Sequence, residues 1–281
     1  MDSLTINFAQ PEQSNIRFRI HTFNDGETHL IIEDEINHKK QYEIITRVCN
    51  ATDLFVLLQC CDILNRHGVE YSIRISYFMS MRMDRVMTWN ESFTLKLVGD
   101  LFNTVNKAYE VSILEPHSNR IYDLVNNLYF NDSYFFYREI EDVGYDCVVY
   151  PDKGAKNRYR ASIFGVNNSA YAEKTRDVTT GAIIDYKLYG EEAIKNASSI
   201  CVIDDLCDGG RTFVELAKLI TEINPDAILH LYIVHAVNAN GIRNVSDYYD
   251  EVITTNSFAD WKFPELSNVR VENVFEDKSW Q

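Results

Sequence analysis

The 281-residue chain predicts an α/β protein made of two halves, each a mostly parallel sheet with helices on its faces. Three observations carry that expectation. Short apolar runs of strand length alternate with amphipathic runs of helix length. The alternation pauses over residues 129–142, a polar and aromatic stretch, and then starts again. Hydrophobic residues make up 46% and charged residues 25% of the chain, the mixture of an ordinary globular protein able to bury roughly three quarters of its unfolded surface. The expected domains are 1–138 and 139–281.

Taken in order, residues 42–46 form the first clear strand. Residues 52–66 follow as a helix that Gly68 ends, and 71–77 as the next strand. Residues 92–105 predict a second helix with Phe93, Leu95, Leu97, Val98, Leu101 and Phe102 on its apolar face. Residues 110–114 complete the first half as a strand. In the second half the strands are 146–150, 199–203 and 228–234. Between the last two, Phe213, Leu216, Ala217 and Ile220 repeat at i, i+3, i+4 and i+7, one face of a helix.

Charge narrows the function. With 42 acidic against 27 basic side chains the formal charge is −15, which repels nucleic acid and anionic membrane surfaces at long range. Neither is an expected partner, and an anionic ligand must be held by a local device. The amino end, MDSLTINFAQ, has no basic and apolar leader pattern. The most apolar stretch, 54–64, is interrupted by Gln59 and Asp62 and falls short of a membrane span. Cys49, Cys60, Cys61, Cys147, Cys201 and Cys207 are scattered without a CxxC pair, as expected of incidental thiols in a reducing cytoplasm.

No GxxxxGK[ST], GxGxxG, HExxH or GxSxG occurs. One segment stands out, Ser198-Ser-Ile-Cys-Val-Ile-Asp-Asp-Leu-Cys-Asp-Gly-Gly-Arg-Thr-Phe-Val-Glu-Leu. A buried strand runs into Asp204 and Asp205, then Asp208, the pair Gly209 and Gly210, and a helix opening near Arg211 or Thr212. Ligands of open α/β sheets bind beyond the carboxyl ends of strands, and free N–H groups at a helix start cradle phosphate. Carboxylates accept hydrogen bonds from sugar hydroxyls. The segment therefore predicts a sugar-phosphate site, with hydroxyls on Asp204 and Asp205 and phosphate on the 208–212 turn. The plainer alternative is a helix cap formed by Asp208.

This segment resembles the phosphoribosyl-diphosphate loop of type I phosphoribosyltransferases and ribose-phosphate pyrophosphokinases. Further segments resemble the pyrophosphokinases in the same order. Phe23-Asn-Asp-Gly-Glu27 is similar to FSDGE, which reaches an adenine across a subunit interface. Tyr77-Phe-Met-Ser-Met-Arg-Met-Asp-Arg85 is similar to PYFGYARQDR, whose arginines bind ATP phosphates. Leu114-Glu-Pro-His117 resembles the histidine segment that serves Mg-ATP, and Tyr150-Pro-Asp-Lys-Gly154 the SPDAG segment whose aspartate serves a metal. Glu173-Lys-Thr-Arg176 resembles the KxR of a catalytic flexible loop.

The resemblance implies two phosphoribosyltransferase-like domains, the first on the ATP side and the second on the sugar-phosphate side. It implies a Mg²⁺-dependent diphosphotransfer from ATP to the anomeric hydroxyl of a ribose 5-phosphate moiety. Lys174 and Arg176 would be catalytic. Phe23, Asp25, Glu27, Arg82, Arg85 and His117 would bind ATP, and His117 and Asp152 would serve the metal. Forked guanidinium donors suit phosphates, and the charged transition state is met by positioning and electrostatics. An adenine pocket shared between subunits implies a homodimer or larger homo-oligomer.

Each residue has a plainer alternative. Lys174 and Arg176 would be a solvated loop, Arg82 and Arg85 partners of surface acids, and His117 a turn histidine. Phe23 would be core packing and Asp152 a turn cap. His235, on a strand, is expected to be a satisfied core histidine.

The pattern also departs from the family. Gly209 stands where the usual DDxxDTGGT has threonine, and Arg211 puts a cation at a small position. Both ribose 5-phosphate and ADP-ribose fit as acceptors, and the chain resembles short phage-type relatives that make ADP-ribose pyrophosphate. Met83 replaces a glutamine, and the basic loop linked to phosphate activation is missing after Arg85. The other readings are an enzyme that consumes phosphoribosyl diphosphate, for which the ATP-side residues would be superfluous, and a catalytically inactive regulatory subunit, which should have lost the KxR or the acids.

Overall fold

The computed structural model describes residues 3–129, 135–159, 166, 168–176 and 183–276, with backbone alone for 174–176 and 183–186. These divide into two compact units, residues 3–129 and residues 135–276. Among the described residues no helix is long and apolar enough to cross a membrane. All six cysteines are free thiols, and all but Cys49 are buried.

The first unit is built on a parallel sheet. It begins with β1 (Leu4–Asn7) and an antiparallel hairpin, β2 (Phe18–Thr22) and β3 (Thr28–Ile32). Next come β4 (Tyr42–Val48), α1 (Ala51–His67), β5 (Tyr71–Phe78), α2 (Thr94–Asn103) and β6 (Glu110–Ile113). The sheet order is β1-β4-β5-β6, and the hairpin is a separate two-stranded sheet. β5 is buried along nearly its whole length, as a central parallel strand covered on both faces must be.

Helix α1 starts one residue before the expected position because the Asn50 side chain accepts from the N–H groups of Thr52 and Asp53, at 2.8 and 3.1 Å. That cap satisfies donors a helix start leaves open. Gly68 ends it in the left-handed region, at φ +64°. Leu54, Leu57 and Leu64 face the core, each contributing about 2 kcal/mol of burial. Gln59, which broke the apolar run in the sequence, binds the hairpin: its Oε1 accepts from Leu30 N–H at 2.8 Å and its amide donates to the Thr28 carbonyl at 3.1 Å. Helix α2 is shorter at both ends than its apolar periodicity predicts; at its carboxyl end Asn103 is engaged by the 124–126 backbone.

The second unit contains α3 (Tyr137–Val143), β7 (Cys147–Tyr150), α4 (Lys153–Tyr159), β8 (Ser169–Arg176), β9 (Ile183–Tyr189) and α5 (Glu191–Lys195). It continues with β10 (Ser199–Cys207), α6 (Arg211–Ile223), β11 (Ile228–Ala236), α7 (Ala239–Ser246), β12 (Glu251–Thr255) and β13 (Val269–Glu272). Its sheet runs β13-β12-β11-β10-β7-β8-β9 and is parallel except for the β8–β9 pair. The three strands legible in the sequence are its centre. Phe213, Leu216, Ala217 and Ile220 are the buried face of α6, as their spacing requires. His235 is fully buried, with Nδ1 2.9 Å from the Ser257 hydroxyl.

Chain order reverses direction across this sheet between β7 and β10: β8 and β9 add on one side, and β11 to β13 on the other. A crevice opens outside the carboxyl ends of strands at such a switch point. The 150–158 segment follows β7, and the 208–212 turn follows β10.

Candidate functional site

In the first unit the segments after β5 and β6 meet. Arg82, Asp84, Arg85 and His117 line one pocket of about 630 Å³, together with Met83 and Met87. Two of the few non-glycine residues with left-handed backbone lie in these segments, Ser80 at φ +67° and Glu115 at φ +32°, and both are buried. Strain of this kind persists where the surroundings over-determine it, as at ligand sites. Arg85 forks onto the carboxylate of its neighbour Asp84, at 2.7 and 2.8 Å, while its own side chain remains 60% exposed. The alternative of an acid partner thus holds for Arg85 in this state. That partner sets the pocket's charge: Arg85, with help from the Ser118 hydroxyl and His117, brings the Asp84 carboxyl down to about 2 against the opposing effect of burial.

The rim of this pocket is fixed by Glu91, whose carboxylate accepts from the Met87 N–H at 2.9 Å and the Thr88 N–H at 3.3 Å. Leu95 N–H donates to the Met83 carbonyl at 3.1 Å and closes the loop onto α2. Sequence reasoning passed over Asp84 and Glu91, although each lies within a few residues of the arginines.

Phe23, Asp25 and Glu27 form the turn of the β2–β3 hairpin. Phe23 N–H donates to the Glu27 carbonyl at 2.8 Å, and Asp25 accepts from the Glu27 N–H at 3.1 Å. Phe23 is 48% exposed, so plain core packing does not describe it. Phe23 and Glu27 line a separate groove of about 1130 Å³ beside α1, which shares no residue with the arginine pocket. Within one chain the two parts of the expected ATP site stand on different concavities.

In the second unit the structure corrects the sequence. Asp204 and Asp205 are not in a loop after the strand: β10 continues through them to Cys207, because β11 pairs with it that far. Asp205 is buried, at 1% exposure, and Asp204 Oδ1 accepts its N–H at 2.9 Å. The guanidinium of Arg158, near the end of α4, contacts the Asp205 carboxylate and lies 3.5 Å from that of Asp204. Burial, reinforced by the Asp205 charge, pushes the Asp204 carboxyl well above the usual range, and Arg158 opposes this. Burial acts to lower the Arg158 guanidinium, but Asp205, Tyr159 and Asp204 outweigh it and raise it further.

The 208–212 turn opens α6 without a side-chain cap. Gly210 takes the N-cap position at φ +78°, so Asp208 is not the cap. Helix α7 presses on this turn. A Cβ at Gly241 would lie 1.6 Å from the Asp208 carbonyl oxygen, and one at Gly210 2.6 Å from that of Gly241. Asn244 donates to the Gly209 carbonyl at 3.1 Å. The N–H groups of Gly209 and Arg211 have no partner among the described residues. Arg211 is exposed and Thr212 half-buried.

Asp152 Oδ1 accepts the Ala155 N–H at 2.9 Å, so the capping alternative is realised there. Its carboxylate also acts electrostatically on Asp204. Lys174 and Arg176 have their backbones in β8, paired with Tyr186 and Ile183, with a register shift between Thr175 and Arg176. The expected loop is therefore a strand at this point, because β9 returns alongside it. The side chains of both residues lie outside the described part. Among the described residues no group of three or more His, Cys, Asp or Glu side chains could hold a metal ion.

No family model matches the chain. It is 24% identical to a ribose-phosphate pyrophosphokinase of Gloeobacter violaceus, over 92% of this chain and 80% of that one. With the enzyme of the same name from a Nostoc species it shares 26%, over 92% and 81%. The crystal structure of a phosphoribosylpyrophosphate synthetase from Mycobacterium smegmatis superposes with a TM-score of 0.75 at 18% identity, covering 92% of this chain and 86% of that chain. Over most of its length the chain is similar to ribose-phosphate pyrophosphokinases. The structural likeness accounts for the two α/β units, and the curated pyrophosphokinases extend the relation over both. Against the family's usual threonine, Gly209 leaves space: a Cβ there would meet nothing within 4 Å among the described residues.

Proposed function

We propose that this pyrophosphokinase moves the β,γ-diphosphoryl group of Mg-ATP to the anomeric hydroxyl of a ribose 5-phosphate moiety and releases AMP. The observation that carries the reading is the pairing of two carboxylates with open N–H donors at the switch point between β7 and β10. Carboxylates suit the ribose diol, and the Gly209 and Arg211 N–H groups suit the phosphate.

In the reaction the anomeric oxygen bonds to the β-phosphorus, the bond from that phosphorus to the α,β-bridging oxygen breaks, and the hydroxyl proton is lost to solvent. Arg82 and Arg85 bind the nucleotide phosphates, and Arg85 exchanges Asp84 for them. Lys174 and Arg176 offset the charge that builds up during transfer. His117 in the first unit and Asp152 in the second would each serve Mg²⁺, partly through water, and the ion supplies neutralisation of the triphosphate when bound. The hairpin of Phe23, Asp25 and Glu27 serves the adenine of a neighbouring copy in a homodimer or larger assembly.

A second acceptor is favoured by one observation. The open space at Gly209 and the exposed cation of Arg211 accommodate a phosphate that carries a further group, as in ADP-ribose. Incubation with Mg-ATP and either ribose 5-phosphate or ADP-ribose, followed by AMP release, tests both. AMP with one acceptor identifies the substrate, and AMP with neither overturns the proposal.

A further inference from the structure

We infer that Arg158 is a positioning residue for the acceptor: by bridging Asp204 and Asp205 it holds both side chains in the orientation that receives the diol. The inference rests on the sugar-phosphate reading of this site and deepens it.

The acids pose a physical problem. Two adjacent carboxylates at the end of a central strand lie largely out of water, their side chains only 15% and 2% exposed. Like charges this close disfavour each other's ionisation, and burial disfavours both. A protonated acid would offer a donor where the ribose hydroxyls need an acceptor. What opposes this, and holds the pair in place, is a cation that stays charged when buried and reaches two carboxylates at once. A guanidinium satisfies both demands, while an ammonium is a single point charge that loses its proton more readily.

Arg158 fits this description in place as well as in kind. Its side chain is 14% exposed, it touches both acids, and it comes from α4 on the other side of the switch point. Asp152, just ahead of the same short helix, accepts its Ala155 N–H, and its negative charge adds to the pressure on Asp204. Helix α4 is thus preceded by an acid and carries the compensating cation near its end. The acceptor site then consists of strand, turn and helix: β10 supplies the carboxylates, the 208–212 turn the phosphate donors, and α4 the countercharge.

The test is a thermodynamic cycle read by calorimetric binding of ribose 5-phosphate, and separately of ADP-ribose, to the full chain. Arg158→Met should weaken the acceptor that binds by at least about tenfold, with ATP affinity within about twofold of the parent. In an Asp204→Asn background the same change should cost clearly less than in the parent, because one of the two acids through which Arg158 acts is already neutral. Arg158→Lys should recover part of the loss. Additive losses in the cycle, or an equal loss of ATP affinity, would overturn the inference.

Should Arg158→Met fail to fold, Arg158→Met with Asp205→Asn restores the buried net charge, and Arg158→Lys keeps the cation. Affinity in the double variant no better than in Asp204→Asn would likewise count against it. If the parent binds neither acceptor, the sugar-phosphate reading falls and this inference with it. If it binds one but releases no AMP, the transfer reaction fails while the role of Arg158 is still decided by the cycle.

Discussion

Lys174 and Asp204 serve opposite partners in the proposed reaction, and substitution separates them. Lys174→Ala should lower turnover by at least about a hundredfold, because charge stabilisation at the migrating group is usually the largest catalytic contribution. ATP affinity should hold within about threefold in that variant; stopped-flow and calorimetry read the two quantities. Asp204→Asn should raise the acceptor KM at least about tenfold with little change in the ATP KM, since an amide offers the diol a poorer acceptor set. Equal losses for both substrates would remove the sugar assignment. Asp84 makes a prediction about pH. Its carboxyl, held down to about 2 chiefly by Arg85, titrates near 4 in the unfolded chain. A depressed folded value gives stability that is complete above about pH 4 and disappears as pH falls through about 2. Because Arg85 is mostly exposed, about 1 kcal/mol is the expected size. Urea unfolding at pH 6 and pH 2.5 should show a smaller drop for Asp84→Asn than for the parent.

At the level of elements, α7 shapes the 208–212 turn, the proposed phosphate site. The Gly241→Ala side chain would fall onto the Asp208 carbonyl, so helix and turn must separate, at about 2 kcal/mol or more. Thermal melting should register that cost, and the acceptor KM should rise more than the ATP KM. The same elements show what the sequence reveals and what it hides. The face of α6 was legible because its signal is local: four apolar side chains at helical spacing. The acid pair stood out in the sequence but was misplaced as structure, since aspartates disfavour strands and pairing with β11 overrides that preference. Arg158 carries no local sign, for its partners lie 46 and 47 residues away. Asn244 is 35 residues from the carbonyl it holds. The β8–β9 ladder was hidden by a polar run around Lys174 that reads as a loop until its return strand is known.

The whole molecule carries a formal charge of −15 while its proposed ligands are polyanions. Binding must then depend on a few placed groups rather than on the overall field. The arginine pocket, the open turn and α4 are those groups, and each belongs to one unit of the chain. The hairpin groove stands apart from the arginine pocket, so the nucleotide reading calls for more than one copy. Light scattering should give a mass of at least about twice that of the chain; a strict monomer with full activity would refute shared adenine binding. The central claim is narrower: the carboxyl end of β10 and the turn after it hold a pentose phosphate. A crystal structure with ribose 5-phosphate or ADP-ribose should show the diol on Asp204 and Asp205 and phosphate against the Gly209 and Arg211 amides. Acceptor density at any other place, with that turn bare, would contradict it.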